Sequence, residues 1–272
     1  MSEAYRVHRE VAERAAAAAG AVLLGAYGTV AAREKAPFDL VTDADGASQA
    51  TIAAALAEAF PDHTLLAEED GVVPDPGVPW RWIVDPLDGT INFAHGFPLW
   101  CVSIALEHEG RLVVGVVHVP LTGTTYSAAL GLGATRDGRP LRVSAVERLG
   151  AALIVAGMPT AFAADAARQL AYFGRFSTET HSVRRTGTLA WNLALVAAGG
   201  CDIGYATAVH PWDAAAGVVL IREAGGTVTD LAGEPYDLYR GDILATNGRV
   251  HAEAVRALAD SWPGAREPAG GA

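Results

Sequence analysis

Three apolar segments of this chain, each of strand type, run directly into carboxylates. TLLA precedes Glu68-Glu69-Asp70, WRWIV precedes Asp85-Pro-Leu-Asp88, and YATAVHP precedes Trp212-Asp213. A carboxylate at the end of a buried strand is held at the edge of a cleft, and several that converge there repel one another unless cations neutralise them. One such acid alone is better explained as a helix cap or a solvated surface charge. The group together predicts strand ends that meet around hard divalent cations.

The composition narrows the class of protein. The chain has 272 residues, enough for one large domain or for two small ones around a shared cleft. No window approaches the roughly 20 uncharged apolar residues of a membrane span, and the charged N-terminal segment does not resemble a signal peptide, so we predict a soluble cytoplasmic protein. The formal net charge of -11 argues against nucleic acid as a partner. Cys101 and Cys201 have apolar neighbours, which favours reduced core thiols over a disulfide.

Helical and strand patterns alternate along the first half of the chain. Ala-rich composition and apolar spacing predict helices over residues 4–27 and 47–59, and proline at position 61 stops the second one. We place the acidic run Asp43-Ala44-Asp45 between them on a loop. The segments that follow predict an antiparallel meander with a hairpin turn at Glu109-Gly110. Its strands are residues 64–67, 80–84, 100–107, 111–118 and 124–129.

The second half has the pattern of an α/β structure. Beyond residue 143, strand segments such as 153–156 alternate with helical segments at 189–198 and 214–223. We predict an N-terminal α+β half over residues 1–146 that carries most of the acidic ligands, and a C-terminal α/β half over 147–262 that carries the Trp-Asp motif. Prolines predict a surface loop over 72–79, and composition predicts a disordered tail over 263–272.

The segment from Asp85 to Thr90 combines two kinds of chemistry. Its two aspartates are candidate metal ligands. Gly89 and Thr90 follow at a predicted helix start, where free backbone N–H groups and the helix dipole favour phosphate. Asp88 alone is also explained as the cap of that helix, but this leaves Asp85 beside it without a role. Metal ligands and an anion site therefore adjoin, which is typical of phosphate-ester hydrolysis without a covalent nucleophile.

Other motifs in the sequence compete with this interpretation. No Gly-x-Ser-x-Gly elbow occurs, no histidine pair has metal-binding spacing, and the tetrapeptide at 43–46 does not fit an EF-hand loop. The same tetrapeptide resembles the Asp-x-Asp-Gly of aspartyl-phosphate phosphatases, which leaves Asp43 open as an alternative nucleophile. Residues 131–136 predict a hairpin or loop, not a dinucleotide fingerprint. We interpret His95 and His210 as supporting or structural residues near the site.

The motifs together resemble the inositol monophosphatase family of lithium-sensitive, magnesium-dependent phosphatases. The resemblance covers nearly the whole chain in order, and DPLDGT with a later WDAAAG is highly specific. It rests on DLVTDAD (39–45), AEED (67–70), WIVDPLDGTINFAHGFP (82–98), GTLAWNLALVAAGGCD (187–202) and HPWDAAAGVVLIREAGG (210–226). It implies a layered α-β-α-β-α fold with an antiparallel N-terminal sheet, a homodimer, and a site between the two halves.

The resemblance also implies residue roles. Asp45 and Thr90 would orient and activate the attacking water, with Glu68 assisting, and Lys35 would lie on a loop near the metals. About two or three Mg²⁺ ions would occupy each site. The metal ligands would be the carboxylates of Glu68, Asp85, Asp88 and Asp213 and the carbonyl of Leu87. The residues facing the substrate would be Asp88, Gly89, Thr90, Gly187, Thr188 and Asp213.

One position departs from the family pattern. Members that act on inositol phosphate carry a glutamate seven positions before the Trp-Asp aspartate, where this chain has Ala206. Alanine cannot accept a hydroxyl hydrogen bond, and specificity built on such pairing exceeds that from apolar fit. Inositol monophosphate is the first candidate substrate, and histidinol phosphate, fructose 1,6-bisphosphate and other polyol phosphates stay open. Outside the enzyme class, the alternative is a catalytically silent module that senses metal or phosphate.

Overall fold

The computed structural model describes residues 2–29, 32–36, 39–71, 78–159 and 162–262. This part of the chain forms five layers in the order α-β-α-β-α, which confirms the predicted fold class. Its helices are α1 (Ser2–Ala26), α2 (Asp43–Ala59), α3 (Thr90–Ala94), α4 (Ala166–Glu179), α5 (Leu189–Ala197), α6 (Pro211–Glu223) and α7 (His251–Ser261).

Two sheets and a short hairpin contain the strands. The hairpin pairs β1 (Ala32–Ala36) with β2 (Asp39–Thr42). The larger sheet consists, in spatial order, of β3 (Thr64–Ala67), β4 (Trp80–Asp88), β5 (Cys101–His108), β6 (Arg111–Val119), β7 (Thr124–Ala129), β8 (Gly133–Arg136) and β9 (Arg139–Pro140). The smaller sheet has the order β11 (Ser182–Arg184), β10 (Leu153–Gly157), β12 (Ile203–Ala206), β14 (Ile243–Thr246) and β13 (Thr227–Thr229).

The prediction of a wholly antiparallel meander is wrong at its first pair. Strand β3 runs parallel to β4, whereas the pairs from β4 to β9 are antiparallel. A parallel pair needs a connection that returns the chain to the edge of the sheet at which the first strand starts, whereas an antiparallel pair can be joined by a tight turn. Consequently Ala67 and Val84, which pair with each other, end their strands at the same edge. The predicted turn at Glu109-Gly110 is confirmed, since both residues have the positive φ of a tight hairpin turn.

The placement of residues 43–45 on a loop is also wrong, because α2 already begins at Asp43. Thr42 caps the helix: its side chain accepts a hydrogen bond from the Ala44 amide, and the Asp45 carboxylate accepts one from the Thr42 amide at 2.9 Å. This reciprocal capping box satisfies two N–H groups that a helix start otherwise leaves unpaired. Asp45 is therefore held on a rigid element and not on a loop.

Three hydrophobic clusters hold the layers together. Helices α1 and α2 cover one face of the larger sheet, and buried alanines such as Ala12 and Ala16 let α1 approach closely. Helices α5 and α6 lie between the two sheets, where Leu193 and Val218 are fully buried. Helices α4 and α7 cover the outer face of the smaller sheet. The alanine-rich composition thus produces thin, closely packed helical layers.

Strand β6 and helix α6 pack so closely that only glycine fits at position 115. A Cβ there would overlap the backbone carbonyl of Ala216, and backbone cannot move aside as a side-chain end can. We expect Gly115→Ala to lower the free energy of unfolding by about 3 kcal/mol. The matched control is Gly174→Ala in the middle of α4, where nothing lies within 4 Å of a new Cβ. We expect Gly174→Ala to raise the free energy of unfolding by about 0.5–1 kcal/mol, and urea denaturation measures both variants. Equal effects of the two changes would contradict this account.

A cluster of stacked rings lies at the end of β4 remote from the carboxylates. His63 stacks on Trp80 and Phe60 with ring centroids 4.9 Å apart in both cases, and His8 of α1 stacks on Phe60 at 4.4 Å. Trp80 also stacks on His108 at 3.5 Å. Burial lowers the pKa of His63 to about 4; the charges of His8 and His108 act in the same direction, and Asp62 opposes them.

This lowered pKa predicts acid-sensitive stability. The folded protein binds a proton at His63 less readily than the unfolded chain does. The contribution of His63 to the free energy of unfolding is therefore complete above pH 6.5 and is lost as pH falls toward 4. The ring is partly exposed, so between pH 7 and 4.5 we expect wild type to lose only about 1–2 kcal/mol more stability than His63→Phe. The exposed His181, changed to Phe, serves as the control, and denaturation at several pH values is the measurement. Identical pH dependence of wild type and His63→Phe would contradict the prediction.

Cys101 and Cys201 are both buried and unbridged, which confirms core thiols. Among the described residues, no helix is long and apolar enough to cross a membrane. In chain order, the larger sheet ends at Pro140 and the smaller one begins at Leu153. The predicted division into two halves at residue 146 falls between them and stays a prediction. Most of the predicted loop at 72–79 and the whole tail at 263–272 lie outside the described residues.

Candidate active site

Strand β4 carries two buried aspartates at its C-terminal end. The strand extends to Asp88, beyond the predicted end at Val84, and every residue from Arg81 to Asp88 is buried. Its register against β5 shifts between Asp85 and Asp88, so a bulge separates them. Bulges of this kind bend a strand and re-aim side chains next to active sites. The Asp85 carboxylate accepts a hydrogen bond from the Leu87 amide at 3.0 Å, which fixes the bulged segment.

Glu68 follows β3 directly and starts a short 3₁₀ turn over Glu68–Asp70. Because β3 and β4 are parallel, Glu68 lies at the same sheet edge as Asp85. Lys35 donates to Glu68 Oε1 at 2.8 Å and to Glu69 Oε1 at 3.2 Å. The structure therefore places Lys35 on strand β1 and not on a loop, in contact with a predicted metal ligand.

Asp213 lies in the first turn of α6 and not at a strand end as the sequence pattern suggested, because the helix already begins at Pro211. Proline is favourable at the first position of a helix, where its missing N–H is not needed. The Asp213 carboxylate accepts a hydrogen bond from the His210 amide at 2.9 Å. Helix α6 thus brings this carboxylate from the C-terminal half toward the edge of the larger sheet.

The four predicted ligand carboxylates interact electrostatically. Burial raises the pKa of Asp85 well above its ordinary range, and the charges of Glu68, Asp88 and Asp213 raise it further. Burial also raises the pKa of Asp213 well above its ordinary value, with Asp88 and Glu68 adding to the effect. Burial raises the pKa of Asp88 to about 6 and raises that of Glu68, although Lys35 acts against the latter shift. The carboxylates are therefore close enough to repel one another, as their convergence requires.

Thr90 and Asp45 lie in hydrogen-bond contact. The Thr90 hydroxyl lies 3.1 Å from Asp45 Oδ1 and 3.0 Å from the Leu87 carbonyl oxygen. Asp45 is only 1% exposed, and its second oxygen accepts from the Thr42 amide and hydroxyl. Burial raises the pKa of Asp45, and these hydrogen bonds act against the shift. A carboxylate that is pre-oriented next to a hydroxyl is suited to hold and orient a water molecule.

Asp88 does not cap helix α3, so the alternative explanation of this residue is wrong. Residue Gly89, with φ of 99°, precedes that helix, and no side chain caps it. The two Asp88 oxygens instead accept from the amides of Leu189 at 3.3 Å and Ala190 at 2.7 Å. These amides belong to the first turn of α5, where the helix dipole favours negative charge. Asp88 thereby joins the sheet edge to the predicted substrate-facing segment Gly187-Thr188.

The contacts of these carboxylates bear on whether they can hold a metal ion. Within the described residues, no three His, Cys, Asp or Glu side chains already stand in an arrangement that could hold an ion. The carboxylates have protein partners instead: Lys35 for Glu68, the α5 amides for Asp88 and the His210 amide for Asp213. The donor set nevertheless fits a hard divalent cation, because it offers only oxygen atoms with mutually repelling charges. Each carboxylate has two oxygen atoms with about four acceptor positions, so these hydrogen bonds leave positions for a cation.

Comparison with known proteins identifies the family. The model of the inositol monophosphatase family matches residues 5–262. The chain belongs to the inositol monophosphatase family. It is 43% identical to an inositol-1-monophosphatase of Synechocystis over 92% of this chain and 88% of that relative. It is 37% identical to the Nus factor SuhB of Escherichia coli over 88% and 91% of the two chains.

Solved structures of this family agree with the fold. The inositol monophosphatase of Anabaena superposes with a TM-score of 0.87 at 39% identity, and the match covers 95% of this chain and 98% of that one. A Thermotoga maritima IMPase gives a TM-score of 0.84 at 32% identity, with 94% and 97% covered. Each match covers 94% or more of this chain, so the family fold accounts for nearly all of it.

Two residues, Cys101 and Asn92, make contacts at this site that were not foreseen from the sequence. The Cys101 thiol donates to Asp88 Oδ2 at 3.6 Å, so this core cysteine also borders the carboxylates. Asn92 donates to the carbonyl oxygens of Leu99 at 2.6 Å and Thr186 at 2.8 Å, which ties α3 to the segment before Gly187. Gly187 has φ of 84°, and a Cβ there would meet the Asn92 amide at 2.9 Å. No local signal marks either contact, because the partners are many residues apart in the chain.

Ala206 lies at the end of β12 and is buried. A Cβ added at Gly157 would lie 2.7 Å from Ala206 Cβ and 3.2 Å from Leu189 Cδ1. Leu189 is the first residue of α5 and adjoins the Asp88 hydrogen bonds. The surroundings of Ala206 are therefore small and apolar, where family members that act on inositol phosphate carry a carboxylate.

Proposed function

We propose that this chain is a Mg²⁺-dependent phosphatase that hydrolyses a small phosphomonoester to an alcohol and phosphate. The observation that carries the proposal is the electrostatic cluster of Glu68, Asp85, Asp88 and Asp213 beside the hydrogen-bonded pair Thr90–Asp45. Such a cluster is costly to keep without cations, and perturbed carboxylates are typical of functional sites. Membership in a family named for its phosphatases supports the same conclusion.

Each residue has a distinct role in this proposal. The carboxylates of Glu68, Asp85, Asp88 and Asp213 and the Leu87 carbonyl would hold the ions, about two or three per site. When bound, Mg²⁺ would polarise the phosphate, activate water and neutralise the leaving alkoxide. Asp45 accepts a hydrogen bond from Thr90. In this proposal the pair orients the attacking water and takes up its proton, with Glu68 assisting. Gly89 and Thr90 would bind phosphate by their amides, and Gly187 and Thr188 would face the alcohol.

Inositol monophosphate is the first candidate substrate, because relatives over nearly the whole chain carry that activity in their names. The apolar surroundings of Ala206 favour a substrate that presents fewer hydroxyl groups on this side, such as histidinol phosphate, while other polyol phosphates stay among the candidates. Fructose 1,6-bisphosphate stays in the set. The same family membership supports lithium inhibition, a homodimer and a cytoplasmic location as further parts of the proposal.

The test is phosphate release from inositol, histidinol, fructose, glycerol and nucleotide phosphates, measured with Mg²⁺ and again with a chelator. We expect strong release from a polyol or sugar phosphate that the chelator abolishes. Release that survives chelation would contradict metal dependence. No release from any compound, together with Mg²⁺-dependent phosphate binding, would favour the catalytically silent sensing module.

Two other functions receive less support. In the aspartyl-phosphate mechanism Asp43 would be the nucleophile, but its carboxylate is exposed and pairs with Arg33 at 2.6 Å. That mechanism predicts a phosphorylated Asp43 that can be trapped, whereas direct water attack predicts none. Some relatives are named Nus factors, yet the net charge of -11 leads us to propose no nucleic-acid partner. Salt-sensitive RNA binding in a gel-shift experiment would overturn that expectation.

A further inference from the structure

A loop over residues 237–242, here called the bridging loop, connects the smaller sheet with the larger one. It lies between β13 and β14 of the smaller sheet, yet its Tyr239 hydroxyl contacts the larger sheet. Arg81 of β4 donates to the Tyr239 oxygen at 2.8 Å, and Tyr239 donates to Glu107 of β5 at 3.1 Å. Arg81 and Glu107 form a buried ion pair at 2.8 Å. One part of the bridging loop is thus anchored on the strand that carries Asp85 and Asp88.

The other end of the bridging loop holds the turn that precedes α6. Asp242 Oδ1 accepts from the Ala208 amide at 3.1 Å, and the Gly241 carbonyl accepts from the Val209 amide. The second Asp242 oxygen accepts from Arg168 of α4 at 3.1 Å. Two successive amides of the turn therefore have their acceptors in the bridging loop, and Arg168 fixes the orientation of one acceptor.

Ala208 needs this support. Its φ of 52° lies in the left-handed region, which costs free energy for every residue with a Cβ and persists only when surrounding contacts impose it. Two residues further along the chain, the His210 amide donates to Asp213 Oδ2. Three successive amides, 208 to 210, thus lead from the bridging loop to the Asp213 carboxylate.

We infer that Asp242 is a positioning residue for Asp213. By holding Ala208 in its left-handed conformation, it sets where the His210 amide and the first turn of α6 place the Asp213 carboxylate relative to the aspartates of β4. This inference rests on the proposed function, in which Asp213 binds a divalent cation. It predicts that the loss of Asp242 weakens cation binding through backbone geometry and not through charge alone.

The experiment measures Mn²⁺ binding directly, from the electron paramagnetic resonance signal of free Mn²⁺, in the full-length protein. Asp242→Ala removes both acceptors, and we expect the Kd for Mn²⁺ to rise about tenfold. Asp242→Asn keeps an amide oxygen that accepts from Ala208, and we expect a rise of less than about threefold. Adding Ala208→Gly to Asp242→Ala should recover most of the loss, because glycine adopts positive φ without penalty.

Two further variants keep the test interpretable. Arg168→Met removes the outer hydrogen bond to Asp242 together with the ion pair between Arg168 and Asp165, and it should raise the Kd for Mn²⁺ by about threefold, which covers the case in which Asp242→Ala does not fold. Asp137→Ala removes a carboxylate that accepts from the Thr125 amide at a distant turn, and it should leave Mn²⁺ binding unchanged. Circular dichroism confirms that each variant is folded.

The outcomes separate this inference from the proposed function. Mn²⁺ binding by wild type with equal losses in Asp242→Ala and Asp242→Asn would overturn positioning, because long-range charge would explain both. Unchanged binding in Asp242→Ala and Arg168→Met would overturn it as well. Absence of Mn²⁺ binding by wild type would overturn the proposed function and the inference with it. The expected order of affinity is wild type, Asp242→Asn, then Asp242→Ala.

Discussion

Replacement of Asp88 by Asn is expected to lower phosphate release by at least about a thousandfold while the protein stays folded. Asp88 is 8% exposed and its charge acts on Asp85 and Asp213, so the change removes one negative charge from the middle of the carboxylate cluster. An asparagine oxygen still accepts from the Ala190 amide, which preserves the contact with α5. Phosphate release at saturating Mg²⁺ is the measurement.

The same substitution should have the opposite effect on stability. In the absence of metal, the loss of one repelling charge is expected to raise the unfolding temperature, whereas Mg²⁺ should stabilise wild type more than the variant. The matched control is Glu69→Gln, which neutralises the acid next to Glu68 and leaves the predicted ligands in place. A tenfold loss of activity corresponds to a rise of only about 1.4 kcal/mol in the activation free energy. An Asp88→Asn protein that retains a tenth or more of the activity would therefore exclude the proposed metal site.

Replacement of Asp45 by Asn should reduce kcat by about 10²–10⁴-fold, with cation binding within a few-fold of wild type. The carboxylate contacts the Thr90 hydroxyl and accepts from the Thr42 amide. Asparagine can keep the capping hydrogen bond but cannot take up a proton, so the fold and the metal ligands should persist while water activation is lost. Single-turnover phosphate release and Mn²⁺ binding separate the two effects.

Asp43 provides the control for this experiment. It lies two residues earlier in the first turn of α2, and its exposed carboxylate pairs with Arg33. We expect Asp43→Asn to retain nearly full activity. Loss of activity in Asp43→Asn with retention in Asp45→Asn would reverse the assignment and favour the aspartyl-phosphate mechanism.

The local elements of this fold could be predicted where the signal lies within a few residues. Alanine-rich spacing identified α1, and the positive-φ turn at Glu109-Gly110 was evident from its glycine. The start of α2 was predicted wrongly, although Thr42 and Asp45 stand at the spacing of a capping box. That signal was present, and recognising it would have placed Asp45 on a helix.

Strand direction could not be obtained in this way. Alternating burial gives the same pattern for a parallel and an antiparallel strand, so the parallel pairing of β3 with β4 depends on the path of the connecting residues. This pairing brings Glu68 to the edge that carries Asp85. The hydrogen bonds of Asp88 with α5 join residues about a hundred positions apart, and no local pattern marks them.

The amino-acid sequence alone specifies the available chemical groups: carboxylates after apolar segments, a Gly-Thr pair beside them, and motifs specific enough to indicate the family. How these groups meet depends on the three-dimensional fold. It made β3 and β4 parallel, directed the first turn of α5 at Asp88 and held the turn before Asp213 by the bridging loop. The physical reason is that backbone periodicity and capping depend on neighbours in the chain, whereas electrostatic coupling depends on distance in space.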